Sequence, residues 1–347
     1  MLNVAPLVSI LITTHNSARW LEPCLHSLLE LRYKPLEIII VDNASLDATR
    51  DILHRFRGRF HIVLNDANTG FAAGQNQAMR LARGEWLLSL NPDVVVSPDF
   101  VTELVAAGER DPRVGTICGK LLRLQTPDRS GPPVIDSTGL YFARNLRHFD
   151  RGSEEPDHGQ YDQLEYVFGA TGAAALYRRA MVEDVSVAGE FFDEEFFAYR
   201  EDADLAWRAQ LMGWKCLYTP SAVSWHVRRV TPERRAELPH IINWHSIKNR
   251  FLMRAKNVSS GLYLRLAIPV TWRDMLIVGH CLLCDRKLIS ALTYIGRNTE
   301  QWRRKRAMVQ ARRRVPDREL AHWFSGRPQR LVNKTAVPKE AEVWRAA

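Results

Sequence analysis

Five cysteines (Cys24, Cys118, Cys216, Cys281, Cys284) are scattered through 347 residues. An odd, dispersed set is no disulfide framework, and it points to a reducing compartment. Cys281 and Cys284 form a lone CxxC in an apolar run, and without a second pair they read as small packing residues. The chain has no G-x-x-x-x-G-K-[ST] and no G-x-G-x-x-G, which argues against P-loop and dinucleotide-binding chemistry. It also lacks Tyr-x-x-x-Lys and glycines at the first strand turn, which an epimerase would need. No uninterrupted apolar stretch reaches the roughly 18 residues of a spanning helix. The N-terminus has neither a basic leader nor a small-residue cleavage site, so no signal peptide is expected.

What is present is a composition of 46% hydrophobic and 25% charged residues, that of a globular protein able to bury a core. The net charge of +9 is local. Residues 286–314 hold ten bases and one acid, Glu300, and the rest of the chain is neutral. Such a patch needs a local partner. Nucleic acid is disfavoured, because Trp302 is nearly alone as a stacking residue among the bases. An anionic membrane surface fits better, with short amphipathic helices expected at 262–270 and 275–284.

The first third alternates strand-like and helix-like segments. Residues 7–13, 36–41, 61–64 and 86–90 read as strands, and 20–31, 47–56 and 72–83 as helices, with Pro23 acceptable only in a first turn. Repeated βα units with short connections predict a mostly parallel, Rossmann-like α/β sheet flanked by helices. Residues 125–165 read as a long excursion over the sheet. The pattern divides the chain into a catalytic region, 1–235, a basic helical extension, 236–325, and a polar tail, 326–347.

Ligands of open α/β sheets bind at the carboxyl ends of the strands. Polar residues collect there: Thr13-Thr14-His15-Asn16, Asp42-Asn43-Ala44-Ser45, Asn68-Thr69-Gly70 and Asn91-Pro92-Asp93. Turn chemistry explains any one of them; four in succession favour a binding crevice. Asp93 beside Asn91 suits a hard divalent cation held between phosphates. Residues 191–204 mix six acids with five aromatics, and carboxyls in apolar surroundings are suited to take protons. His226, in Ser224-Trp225-His226, gains interest only from this company.

Together these motifs, with Gly70-Phe71-Ala72-Ala73-Gly74-Gln75-Asn76, Gly169-Ala170, Glu201-Asp202-Ala203-Asp204-Leu205 and Trp225-His226, resemble family 2 glycosyltransferases of the GT-A fold, in the rhamnosyltransferase-like branch. The resemblance runs from Val8 to about Asn257. It implies a donor site including Thr13, Asn16, Asp42, Asn68, Gly70, Asn76, Asn91 and Asp93. Asp42 would meet the pyrimidine or ribose, and Asn76 would lie near the ribose-diphosphate. Mg²⁺ or Mn²⁺ would sit on Asp93 and His226, with Asn91 standing where the family's D-x-D often has its first acid. Asp202 would be the catalytic base, and Gly169, Ala170, Tyr199 and Glu201 would face the acceptor. The implied reaction is an inverting, single displacement from a nucleotide sugar, either dTDP-L-rhamnose or a UDP-hexose or UDP-galactofuranose, to a glycan or lipid-linked acceptor. No Gln-x-x-Arg-Trp occurs, so single transfers are expected. The implied location is the cytoplasmic face of the cell membrane, held peripherally.

Overall fold

The apolar run near the N-terminus forms β1 (Val8–Thr14), buried along its whole length. The computed structural model describes residues 5–124, 131–228 and 239–325; the expected boundary at 235 and the tail 326–347 lie outside them. After β1 come α1 (Ala18–Leu29), β2 (Leu36–Asn43), α2 (Thr49–Arg55), β3 (His61–Asn65), α3 (Phe71–Leu81) and β4 (Trp86–Leu90). β3, β2, β1 and β4 lie side by side and parallel. α3 packs closely on β1, because a Cβ at Gly74 would stand 2.5 Å from the Thr13 methyl. α1 begins earlier than its sequence suggested and carries Pro23 in its second turn, held by burial of Leu21, Cys24, Leu25 and Leu28.

The sheet then becomes mixed. β5 (Val94–Val96), α4 (Phe100–Gly108) and β6 (Val114–Arg123) precede three short strands, β7 (Ile135–Ser137), β8 (Leu140–Phe142) and β9 (His148–Asp150). β10 (Glu165–Val167), β11 (Ala174–Arg178), α5 (Arg179–Val185), α6 (Glu201–Leu211) and β12 (Lys215–His226) follow. β11 enters antiparallel between β4 and β6, while β12 runs parallel to β6 and antiparallel to β5. The excursion at 125–165 therefore contains ordered structure: β7 extends the main sheet, and β8 and β9 form a hairpin.

The C-terminal region is helical: α7 (His240–Asn257), α8 (Ser260–Leu283), α9 (Ile289–Arg297), α10 (Thr299–Ala311) and α11 (Asp317–Leu320). Its apolar residues share one core with the catalytic region. Leu252, Leu262, Leu266, Val309 and Phe324 pack with Phe142, Phe168, Phe196 and Trp207. Two short helices were expected at 262–284, but α8 is one helix of 24 residues that runs through Pro269. Among the described residues it is the one helix long and apolar enough, by length and composition, to cross a membrane; Arg265, Arg273 and Asp274 interrupt its apolar residues.

Part of the basic segment packs against the catalytic region. Lys305 of α10 is buried against Asp193 at 2.6 Å and Glu190 at 3.0 Å. Lys256 of α7 pairs with the same Asp193 and, at 3.1 Å, with Asp204. Arg306 donates to the carbonyls of Ala255 and Val258, Arg312 to those of Asp184 and Ser186, and Arg314 pairs with Asp184. Burial alone would raise the Asp193 pKa, but Lys256 and Lys305 outweigh it and hold the carboxyl far below its usual range.

Removing one partner of a buried ion group strands the others without compensation. Asp193→Ala is therefore expected to lower unfolding free energy by about 3–5 kcal/mol in denaturant titration. Because the folded pKa is depressed, this contribution is present above about pH 4 and is lost as pH falls below it. The variant should accordingly lose less stability on acidification than the parent.

Candidate active site

The register of β5 against β12 sets His226 opposite Val94. That places His226 Nε2 3.5 Å from Asp93 Oδ1. The other ring nitrogen, Nδ1, donates to Asp136 Oδ2 at 2.8 Å. Asp136 lies on β7 and is fully buried. Its second oxygen accepts from Arg228 at 3.2 Å, and Arg123 stands 3.8 Å away. Arg228 also reaches Asp150 of β9 at 2.5 Å. Burial would lower the His226 pKa, but the Asp136 hydrogen bond and charge, followed by Asp93, outweigh it and push it up to about 9. Burial likewise opposes the charge on Asp136, yet His226, Arg228 and Arg123 hold its pKa below the usual carboxylate range.

Across the cavity, α6 begins with two carboxyls. Asp202 accepts from Gly172 N–H at 2.9 Å and from Ala203 N–H at 2.7 Å. Burial raises its pKa, and these two amide bonds oppose the rise. Burial, and then the charge of Asp202, pushes Glu201 to about 8. The segment before them is strained: Phe197, Tyr199 and Arg200 all have positive φ, a conformation costing about 1–3 kcal/mol per residue unless the surroundings enforce it. The enforcing group is Asn249 of α7. Its Nδ2 is 2.9, 2.8 and 2.7 Å from the carbonyls of Phe196, Ala198 and Tyr199.

A cavity of about 710 Å³ joins these two walls. Asn91, His226 and Arg228 line one side, and Tyr199, Glu201 and Asp202 the other. It opens at the carboxyl ends of β4 and β12, where an α/β sheet holds its ligands.

Residues 9–186 match the family described as "Glycosyl transferase family 2". The chain belongs to that family. It is 28% identical over 251 residues to N-acetylglucosaminyl-diphospho-decaprenol L-rhamnosyltransferase of Mycobacterium tuberculosis, covering 65% of this chain and 76% of the relative. It is 22% identical over 225 residues to poly-beta-1,6-N-acetyl-D-glucosamine synthase of Staphylococcus aureus, covering 63% of this chain and 49% of the relative. The fold is similar to that of the mannosyltransferase PcManGT from Pyrobaculum calidifontis, solved with GDP-Man and Mn²⁺, with a TM-score of 0.51 and 17% identity over 89% of this chain and 86% of that one. GalNAc-T7, solved with UDP, GalNAc and Mn²⁺, gives a TM-score of 0.53 and 13% identity over 72% of this chain and 48% of that one. The chain is thus a glycosyltransferase with the GT-A fold.

In this glycosyltransferase the expected site residues fall into two groups. Asn91, His226, Tyr199, Glu201 and Asp202 line the cavity, with Asp93 beside His226. Thr13, Asn16, Asp42, Asn68 and Gly70 cluster at the ends of β1 to β3. This cluster touches the acid-bearing loop through Gly70, whose φ is +87° and where a Cβ would meet Phe197 at 2.6 Å. Asp42 is buried, and its oxygens accept from Thr14, Ser45 and Arg50. It therefore braces the strand-end loop rather than projecting from it.

Asn76 is likewise held by partners within the fold. It is 3% exposed, and its amide bridges α3 to the N–H and carbonyl of Phe192 and to Glu194. Gly169 and Ala170 are buried behind the wall; a Cβ at Gly169 would overlap Ala206 at 2.2 Å. The cavity is faced instead by the next residues, Thr171, Gly172 and Ala173.

Sequence reasoning missed Asp136, Arg123, Arg228, His148 and Asp150. Three of the five lie in the excursion at 125–165, where Pro, Gly and charge hid two functional strands. The only sequence cue to Asp136 is its position in Val134-Ile135-Asp136-Ser137, an acid inside a short apolar run.

Proposed function

We propose that this glycosyltransferase moves L-rhamnose from dTDP-L-rhamnose to a hydroxyl of a glycan or lipid-linked acceptor, by a single displacement that inverts the anomeric centre. The supporting observation is the pairing of Asp202 with the Asp93–His226 end across one cavity. A carboxyl at the start of α6, lifted by burial, is placed to accept the acceptor hydroxyl's proton as attack develops. The amides of Gly172 and Ala203 fix its orientation and stabilise its charged form. No nucleophilic residue is needed, because attack from the opposite face completes the transfer. Rhamnose is favoured by the 28%-identical relative.

Asp93 and His226 would hold Mg²⁺ or Mn²⁺, the remaining positions falling to donor phosphates. Among the described residues no group of three His, Cys, Asp or Glu is arranged for a metal, so the protein's share is small. The residues fit that role: Asp136 accepts the Nδ1 proton and so fixes the tautomer that turns Nε2 towards Asp93, the arrangement common to metal-binding histidines. The ion would neutralise charge on the departing diphosphate.

Donor choice is tested by titrating purified protein with nucleotide sugars and following nucleoside diphosphate release. dTDP-L-rhamnose should be preferred over UDP-hexoses by at least tenfold; the reverse preference would replace the sugar but leave the reaction class. With the preferred donor, Asp202→Asn is expected to lower turnover by about two to four orders of magnitude with donor affinity unchanged. Turnover within threefold of the parent would falsify the base assignment.

Chelation should abolish transfer, and Mn²⁺ or Mg²⁺ should restore it. Asp136→Asn is expected to weaken Mn²⁺ binding about 10–100-fold, read by paramagnetic resonance titration of the folded variant with Asp136→Glu as the charge-retaining control. An unchanged Mn²⁺ affinity removes Asp136 from this role.

We further propose that α8 seats the enzyme on an anionic membrane. Leu264, Ile268, Trp272 and Met275 are 75, 84, 62 and 61% exposed, and their spacing places them on one helix face. Exposed Arg265, Arg286 and Lys287 flank them, which suits an interfacial helix. Because α10 and α11 share the core, truncation is a poor test; Ile268→Asp with Trp272→Asp keeps the fold intact. The double variant should lose flotation with anionic liposomes at unchanged turnover of a soluble acceptor. Undiminished flotation would remove α8 from the membrane contact.

A further inference from the structure

The cavity has a second charged end, away from Asp93. Four guanidiniums line the cavity: Arg123, Arg147, Arg200 and Arg228. Arg123 and Arg228 belong to the metal end, through Asp136, Asp150 and Glu154. Arg147 and Arg200 line the cavity together with His148. Arg200 donates to His148 Nδ1 at 3.1 Å, while its Nε donates to the Ser246 carbonyl at 3.0 Å. Arg147, at the tip of the β8–β9 hairpin, lies over the Phe149 ring at 4.4 Å. A ring nitrogen that accepts from Arg200 is unprotonated, so the hydrogen of neutral His148 sits on Nε2. Burial, and then the charges of Arg200, Arg147, Arg228 and Arg250, keep its pKa well below the ordinary value. Two guanidiniums and an imidazole thus line one cavity, a donor set matched to phosphate oxygens.

This wall continues to the apolar surface of α8. Arg250 of α7 donates to the Asn145 carbonyl beside the hairpin tip at 3.0 Å and stands 3.5 Å from Asp274 of α8. The first turns of α7 line the cavity with Ile242, Asn243 and Ser246. At the same end, His240 lies 3.4 Å from Asp285, just past the end of α8. Nearby Leu283 is 87% exposed. An acceptor that entered from a bilayer beneath α8 would pass α7, meet Arg147 and Arg200, and reach Asp202 two residues beyond Arg200.

We infer that Arg147, Arg200 and His148 form a subsite for the diphosphate of a lipid-linked acceptor, distinct from the donor diphosphate at Asp93 and His226. The inference rests on the proposed transfer to a lipid-linked acceptor and names the group that is recognised. The lipid tail would leave along α7 towards α8, and the acceptor sugar would point at Asp202. Arg200 orients the group as well as binding it, since its left-handed backbone is fixed beside Asn249.

The test uses the full chain saturated with dTDP and Mn²⁺, so that the donor subsite is filled, and titrates farnesyl diphosphate by calorimetry. Saturable binding is expected, with inorganic pyrophosphate and farnesol each at least tenfold weaker. Arg147→Ala should weaken farnesyl diphosphate tenfold or more while dTDP affinity changes less than twofold. Arg147→Gln, which keeps a polar side chain over Phe149, serves if the alanine variant loses its fold. The proposal is overturned if farnesyl diphosphate does not bind, if farnesol or pyrophosphate binds equally well, or if the variant weakens dTDP as much as the lipid. Failure of both dTDP and UDP to bind the parent protein is a separate result; it counts against the donor reading and not against the subsite.

Discussion

The constraint on which the rest depends is the burial of two carboxylates, Asp193 and Asp204, between the catalytic sheet and the C-terminal helices. Neither can be solvated, so each must be matched where it stands. Asp204, one turn into α6, accepts from Arg208 at 3.0 Å, Lys256 at 3.1 Å and Asn257 at 2.8 Å. Asp193, ahead of the acid-bearing loop, takes Lys256 and Lys305 and also caps the short turn Glu194–Phe196. Such pairs add little net stability over an apolar core, but they permit only one arrangement of the partners. Once α7 and α10 have supplied their lysines, the position of α6 is set, and with it Asp202.

The same arrangement places Asn249, about two helical turns before Lys256 on α7, under the strained loop. Three left-handed residues in four would relax in isolation. Here the carbonyls of Phe196, Ala198 and Tyr199 in the same loop meet an amide from a helix already fixed by ion pairing, so the strain is borne by the tertiary structure. Phe197 then packs over Gly70, so the strand-end cluster abuts the loop before α6. The C-terminal extension is thus part of the catalytic scaffold, which explains why its apolar residues and those of the sheet region fill a single core.

Much of this was legible in the sequence where local pattern and tertiary role coincide. β1, β2, β3 and β4 announce themselves as short apolar runs followed by turn residues, and Asp202 and His226 stand out through their surroundings. Legibility fails where a residue's partner is distant along the chain. Lys305 reads as one of ten bases in a solvated patch, yet its partner is 112 residues away and the pair is buried. Asn76 looks like a ligand because it follows a glycine-rich turn, whereas its partner Phe192 is 116 residues away. Asp136 lies in a segment whose composition suggests a loop, and only its pairing with His226, 90 residues on, gives it meaning. In the sequence, Arg273 and Asp274 split the apolar residues of α8 into two runs. Pro269 is tolerated within one continuous helix, and Asp274 is taken up by Arg254 at 2.6 and 2.7 Å.

The two ends of the cavity handle charge in opposite ways, and this sets what each can do. At the His226 end, Asp136 bonds both His226 and Arg228, with Arg123 3.8 Å away, so a cation there would compete with a proton on His226. At the α6 end, burial raises the proton affinity of the carboxyls, while backbone amides hold Asp202 in place to take a proton from the acceptor side. A diphosphate leaving group requires the first environment and a hydroxyl nucleophile the second. The sheet separates them by taking one from the tips of β5 and β12 and the other from the start of α6. The opposed environments are therefore a consequence of topology: the antiparallel insertion of β11 between β4 and β6 is what brings Gly172 and the start of α6 across from Asp93, and without that insertion both acids would lie along the same row of strand ends.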